Sequence, residues 1–202
     1  MEGRAPFITV EGIDGAGKST AVGALESHFD DVKTTKEPSN LWTGEEVYRA
    51  IGGDETPPLT DFYLFMADRV HHIDNLIKPA LNDGTVVVSD RFADSTRAYQ
   101  NTALGEHMME EYGYESEPYI ESLMEPWNME PDLTLFLDIS VDTSLERCEG
   151  GDKYEKREFL TAVRSKYKEL ENKYDRFVTV DAERPKDHVR GEVIGIVEEL
   201  RE

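Results

Sequence analysis

Near the N-terminus, Gly12, Ile13, Asp14, Gly15, Ala16, Gly17, Lys18 and Ser19 read GIDGAGKS and satisfy the spacing G-x-x-x-x-G-K-[ST]. Glycines at 12, 15 and 17 let successive backbone N–H groups wrap a β-phosphate. A helix starting near Lys18 would point its positive end at the same anion. The Lys18 ammonium would reach the β- and γ-phosphates, and the Ser19 hydroxyl would ligate Mg²⁺. Thr20 completes the run that would hold the donor nucleotide. Such a loop names a phosphoryl donor, ATP or GTP, and leaves the acceptor open. On this motif alone a non-enzymatic nucleotide-binding switch is a second alternative, and the lack of an N-K-x-D guanine reader counts against it.

A second reactive pair is Asp90-Arg91, at the end of the apolar run TVVVS (85–89). In open α/β sheets ligands bind at the carboxyl ends of the strands. Asp90 there could hold Mg²⁺, and the Arg91 fork suits a phosphate.

These groups need a scaffold. Short β-forming runs fall at Phe7–Glu11, Asp31–Lys36, Thr85–Ser89, Asp132–Ile139 and Phe177–Asp181. Helical patterns run from Ser19 to about Phe29, over Thr43–Ile51, and over 142–148, 155–174 and 186–201. Pro57-Pro58 should delay the next helix to Thr60. From there Phe62, Phe65, Met66, Val70, Ile73 and Ile77 form an apolar stripe. Within 155–174, Phe159, Leu160, Val163, Tyr167 and Leu170 form another. The segment 101–118 lacks clear periodicity and reads as a surface excursion. His71-His72 reads as solvated helix surface. Alternating strands and helices give an α/β fold with a five-stranded parallel sheet flanked by helices, in one domain over 1–202.

The chain has 43 acidic and 22 basic residues, a net charge of −21, and one cysteine, Cys148. The charge disfavours non-specific binding to nucleic acid or anionic membrane. The lone cysteine excludes an internal disulfide and suits a reducing, cytoplasmic compartment. Two readings of the acidic shell stand side by side: adaptation to a salt-rich cytoplasm, or an ordinary acidic protein.

Four blocks together resemble the thymidylate kinases, P-loop nucleoside-monophosphate kinases: GIDGAGKST, LFMADR (64–69), SDRFADSTRAYQ (89–100), and PDLTLFLDI (131–139) followed by LERC. The likeness spans nearly the whole chain and implies the P-loop NTPase fold, with ATP and Mg²⁺ phosphorylating dTMP to dTDP in a homodimer. It implies that Phe65 stacks on thymine and Arg69 donates to its O4. Arg91 would hold the 5′-phosphate, Thr96, Tyr99 and Gln100 would face the nucleoside, and Asp14 would approach the 3′-hydroxyl or the metal shell. Glu37-Pro38 matches the family's acidic-proline element and allows a cis bond. Arg147 would stack on adenine, opening a short lid over about 147–158. With glycine at position 15, the lid should supply a cation to the transferring phosphate. Lys153 stands where the family tends to have arginine, and Arg97 is the next candidate. The stretch EPSNLW (37–42) also resembles deoxynucleoside kinases, where the glutamate is the base on a 5′-hydroxyl; phosphorylation of thymidine or a related nucleoside is the first alternative.

Overall fold

The computed structural model describes residues 4–53, 56–148 and 156–201. In chain order it has β1 (Phe7–Glu11), α1 (Lys18–His28), β2 (Val32–Lys36), α2 (Trp42–Ile51) and α3 (Pro58–His72). A π-helical turn, Ile73–Ile77, leads into α4 (Lys78–Asn82), then β3 (Val86–Asp90) and the single turn α5 (Ala93–Ser95). A second π-helical turn, Thr96–Gln100, opens α6 (Asn101–Tyr112), followed by α7 (Ser116–Met124), β4 (Leu133–Asp138) and α8 (Val141–Arg147). The chain then forms α9 (Arg157–Lys173), β5 (Phe177–Asp181) and α10 (Lys186–Arg201).

All strand pairs are parallel, in the order β2-β3-β1-β4-β5. β1, β3 and β4 are central and covered on both faces, which is why each reads as a continuous apolar run. The two-residue side-chain period divides them. Ile8, Val10, Val88 and Leu135 pack with Leu25, Leu160, Val163, Tyr167 and Val193. Phe7 and Val87 pack with Ile73, Ile77, Leu81 and Phe92 on the other face. The P-loop leaves the central strand, and the loops after β2 and β3 open at the same sheet edge. Register pairs Val10 with Asp90 and Lys36 with Asp90, so the motif-bearing strand ends are neighbours. No helix among the described residues is long and apolar enough to cross a membrane.

Four expectations change. Residues 101–118 are no surface excursion: Leu104 and Met108 of α6, with Ile120 and Met124 of α7, are buried against Phe62 and Met66. Only two of the segment's apolar residues, Leu104 and Met108, are buried, and exposed Met109, Tyr112 and Tyr114 blur the period. Helix α3 starts at Pro58, not Thr60, because proline is tolerated at the first helical position, where the missing N–H is not needed. Val70 is 39% exposed, so it is not in the core stripe, whereas His72 is wholly buried rather than solvated. A π-helical turn precedes Pro79, which has no N–H to bond the preceding turn.

Candidate functional site

One cleft of about 820 Å³ runs along the carboxyl edge of the sheet. Its floor is the P-loop. Gly12, Gly15 and Gly17 all have positive φ, and a Cβ on Gly12 would lie 2.6 Å from the Leu137 carbonyl oxygen, so only glycine fits there. Helix α8 braces the loop through Ser144 Oγ, which donates to the Asp14 carbonyl at 2.6 Å. Lys18 is buried, with Nζ donating to the carbonyls of Gly12 and Ile13 at 3.1 and 2.9 Å. Burial, then the nearby Arg91 charge, lowers its pKa to about 8; an anion in the loop opposes that shift. Ser19 Oγ donates to Asp90 Oδ2 at 2.8 Å. A hydroxyl and a carboxylate converging there are the hard oxygen donors that Mg²⁺ favours.

Arg91 adopts φ 70°, a left-handed conformation uncommon for arginine. Glu11, at the end of β1, pins the loop that holds it. The Glu11 carboxylate accepts from Phe92 N at 2.7 Å, Ser95 Oγ at 2.6 Å and Tyr167 Oη at 2.8 Å. Burial, with Asp94 nearby, raises the Glu11 pKa to about 7. The Arg91 guanidinium then bonds Asp14, the Gly12 carbonyl, Ser95 Oγ and Tyr99 Oη, with its carbon 4.7 Å from the Tyr99 ring centroid. Burial alone would raise the Asp14 pKa, but Arg91 and Lys18 outweigh it and hold the carboxyl ionised below its usual range. Tyr99 Oη donates to Asp14 Oδ2 at 2.9 Å.

The opposite wall comes from α3 and the second π-helical turn. Phe65 is half-buried, touching the Phe62–Met66 cluster and lining the cleft. Arg69, 1% exposed, bonds Glu37 Oε2 through Nε at 2.8 Å and through a terminal nitrogen at 2.7 Å. It also donates to the Phe92 carbonyl at 3.0 Å. Burial would raise the Glu37 pKa, but Arg69 and then His72 bring it below the ordinary value. Thr96, Tyr99 and Gln100 line the cleft together, because the widened turn carries them on one side. Gln100 Oε1 is buried with no hydrogen-bond partner among the described residues. The Glu37-Pro38 bond is cis.

At the far end of the cleft Arg147 donates to the carbonyls of Gly15 and Ala182, beside Val189, Arg184, Lys186 and Arg190. The cleft is thus lined by eight of the chain's 22 basic residues, the others being Lys18, Lys36, Arg69 and Arg91, and by three carboxylates, Asp14, Glu37 and Asp90. A strongly acidic protein concentrates positive charge where a polyphosphate would lie.

Arg97 does not fit a role as a phosphate cation. It is 7% exposed, ion-paired to Asp94, Glu121 and Glu130, and does not line this cleft. Lys153 and most of the expected lid lie outside the described residues. Three residues to which the sequence assigned no role in the site help to build it. Glu11 immediately precedes the P-loop. Asp68 accepts from Ser39 N, Ser39 Oγ and Thr43 Oγ1 at 2.6–2.7 Å and ties the β2–α2 loop to α3. His72 braces Glu37. An acid inside the apolar pattern of α3 was the available signal for Asp68.

The profile of the thymidylate kinase family matches residues 10–193. A probable thymidylate kinase of Methanococcoides burtonii is 39% identical over 208 residues, covering 100% of both chains. One of Halorubrum lacusprofundi is 37% identical, covering 96% of this chain and 98% of its own. The solved thymidylate kinase of Candida albicans superposes with a TM-score of 0.83 at 25% identity, covering 98% of this chain and 93% of that one.

Proposed function

The chain belongs to the thymidylate kinase family, and from that premise we propose that its cleft transfers the γ-phosphoryl group of ATP to the 5′-phosphate of dTMP, giving dTDP and ADP. The observation that carries this reading is the meeting, in one cleft, of the P-loop with Arg91 and the Phe65–Arg69–Gln100 wall. Gly12 to Thr20 would hold the ATP phosphates and Arg147 the adenine. Arg91 would exchange its Asp14 contact for the acceptor phosphate, leaving Asp14 for the 3′-hydroxyl side. Phe65 would stack on the base. Arg69, Thr96 and Gln100 would read its edge, and Tyr99 would sit against the 2′ carbon and disfavour ribose.

A phosphate monoester dianion is a competent nucleophile near neutral pH, so no general base is required. The work is alignment and charge neutralisation by Lys18 and Arg91. Mg²⁺, when held by Ser19 and Asp90, would add neutralising charge on the phosphates. Lys153, in a lid over about 147–158, would supply the remaining cation. The alternative of a nucleoside acceptor needs a free base at Glu37. Both Glu37 oxygens are instead engaged, by Arg69 and His72.

We further infer one domain, a homodimer and a cytoplasmic, salt-adapted setting. These rest on the family resemblance and the −21 charge. Chromatography of a reaction containing ATP, Mg²⁺ and dTMP is expected to show dTDP and ADP in equal amounts; ADP without dTDP would overturn the proposed reaction.

A further inference from the structure

Behind the Arg69 fork lies a relay of Glu37, His72 and Thr35, of which His72 and Thr35 do not line the cleft. His72, with no exposed surface, points Nδ1 at Glu37 Oε1 at 3.1 Å and Nε2 at Thr35 Oγ1 at 2.7 Å. The geometry is satisfied when Nδ1–H donates to the carboxylate and the Thr35 hydroxyl donates to Nε2. Glu37 Oε2 takes two donors from Arg69. The Phe92 carbonyl takes a third, and the guanidinium lies over the Phe92 ring at 5.2 Å. The remaining terminal nitrogen, NH1, has only the Met124 thioether, 3.6 Å away, among the described residues. Sulfur is a weak acceptor, so Arg69 keeps a strong donor to offer to the cleft it lines.

We propose that the Thr35–His72–Glu37 relay is a specificity device: it aims the spare Arg69 N–H groups at a pyrimidine 4-carbonyl and withholds the Glu37 carboxylate from a 4-amino group. The inference rests on the reading that Arg69 faces the nucleobase of a monophosphate acceptor. Two consequences follow from the hydrogen bonds. Arg69 is held in a fixed plane by three hydrogen bonds that it donates, so it does not swing aside for a cytosine amino group. Glu37, the anion on this wall, has Oε1 turned to His72 and Oε2 to Arg69, so it does not welcome that amino group either. A 4-carbonyl is thereby selected by one offered donor and by one withheld acceptor. A buried donor facing another donor loses its bond, and a polar group left unpaired in such a site is strongly discriminating. His72 and Thr35 act through Glu37 and Arg69; they are positioning residues.

The test compares kcat and KM for dTMP and dCMP, with ATP, in the wild-type protein and in His72→Leu, His72→Asn and Thr35→Val. Leucine frees Glu37 Oε1. His72→Leu is expected to raise the dTMP KM about tenfold with kcat within about twofold, and to narrow the dTMP-over-dCMP preference in kcat/KM at least tenfold. His72→Asn, which restores an N–H toward Glu37, is expected to recover most of that preference. Thr35→Val, on the partly exposed strand β2, is expected to narrow it by a smaller factor, about threefold. Parallel losses for both acceptors, with the preference unchanged, would make the relay a structural brace and overturn the proposal. So would an asparagine variant no more selective than the leucine variant. If His72→Leu does not fold, the Thr35→Val preference decides in the same way. A wild-type protein that does not turn over dTMP fails at an earlier point, the assigned reaction itself, and is seen before any variant is compared.

Discussion

On the acceptor wall of the cleft Arg69, Glu37 and His72 are buried and mutually engaged; on the donor rim the cations are exposed, and two have nothing to hold among the described residues. Arg69, Glu37 and His72 are each at most 6% exposed and form one connected set. Lys186 and Arg190 are exposed, with no hydrogen-bond or ion-pair partner among the described residues, and Arg184 has only Glu192 at 2.9 Å. Buried, interlocked groups have fixed positions and punish a mismatched ligand; exposed cations attract any polyanion and bend to suit it. The contrast teaches where selectivity resides. The acceptor wall reads a base. The donor rim reads charge, above a phosphate loop whose contacts are common to all nucleoside triphosphates.

The largest expected effect lies where the two sides meet. Arg91→Ala should lower kcat/KM by about 10²–10³, the worth of about 3–4 kcal/mol for a transition-state donor; a loss under threefold would remove Arg91 from the chemistry. Lys153→Ala should lower kcat and leave the dTMP KM unchanged. On the donor rim, Lys186→Ala with Arg190→Ala should raise the ATP KM only about threefold to fivefold. That effect should fade in high salt, since exposed pairings are worth at most about 1 kcal/mol. A loss that persists in high salt would mean the rim is as specific as the acceptor wall, and the contrast would break.

Two smaller effects concern the protein without nucleotide. The Glu11 pKa is raised to about 7 in the folded state from 4.5. Folding therefore takes up a proton between those values, so this group's stabilisation is full below about 4.5 and is lost as pH rises through about 7. Glu11→Gln should flatten that part of the stability curve relative to wild type; superimposable curves would deny the shift. With a charge of −21, the fold should lose stability when KCl is lowered from molar concentrations. A curve independent of KCl would favour the ordinary acidic protein.

Much of the donor site was legible because its parts are contiguous. Gly12 to Ser19 carry the loop, its turn glycines and the helix start in eight residues, and strand runs on either side fix their place at the sheet edge. The acceptor wall was legible only in part. Phe65 and Arg69 share a helix face, but that Arg69 is paired with Glu37, 32 residues away, depends on β2 and α3 coming together. His72 shows the same limit: a histidine at an apolar position reads as solvated until its carboxylate partner is in place, while Val70 passes for core. Arg97 had the right charge near the right motif. It turned out to be consumed by three carboxylates on α5, α7 and the loop before β4. Such pairings are set by the fold, and spacing along the chain does not reveal them.

The most direct test of the whole account is a competition in which dTMP and thymidine are supplied together with ATP and Mg²⁺ and both products are followed. The account predicts that dTDP accumulates while thymidine is left untouched, because Arg91 awaits a phosphate and Glu37 has no free oxygen to act as a base. Phosphorylation of thymidine with dTMP left unchanged would contradict it.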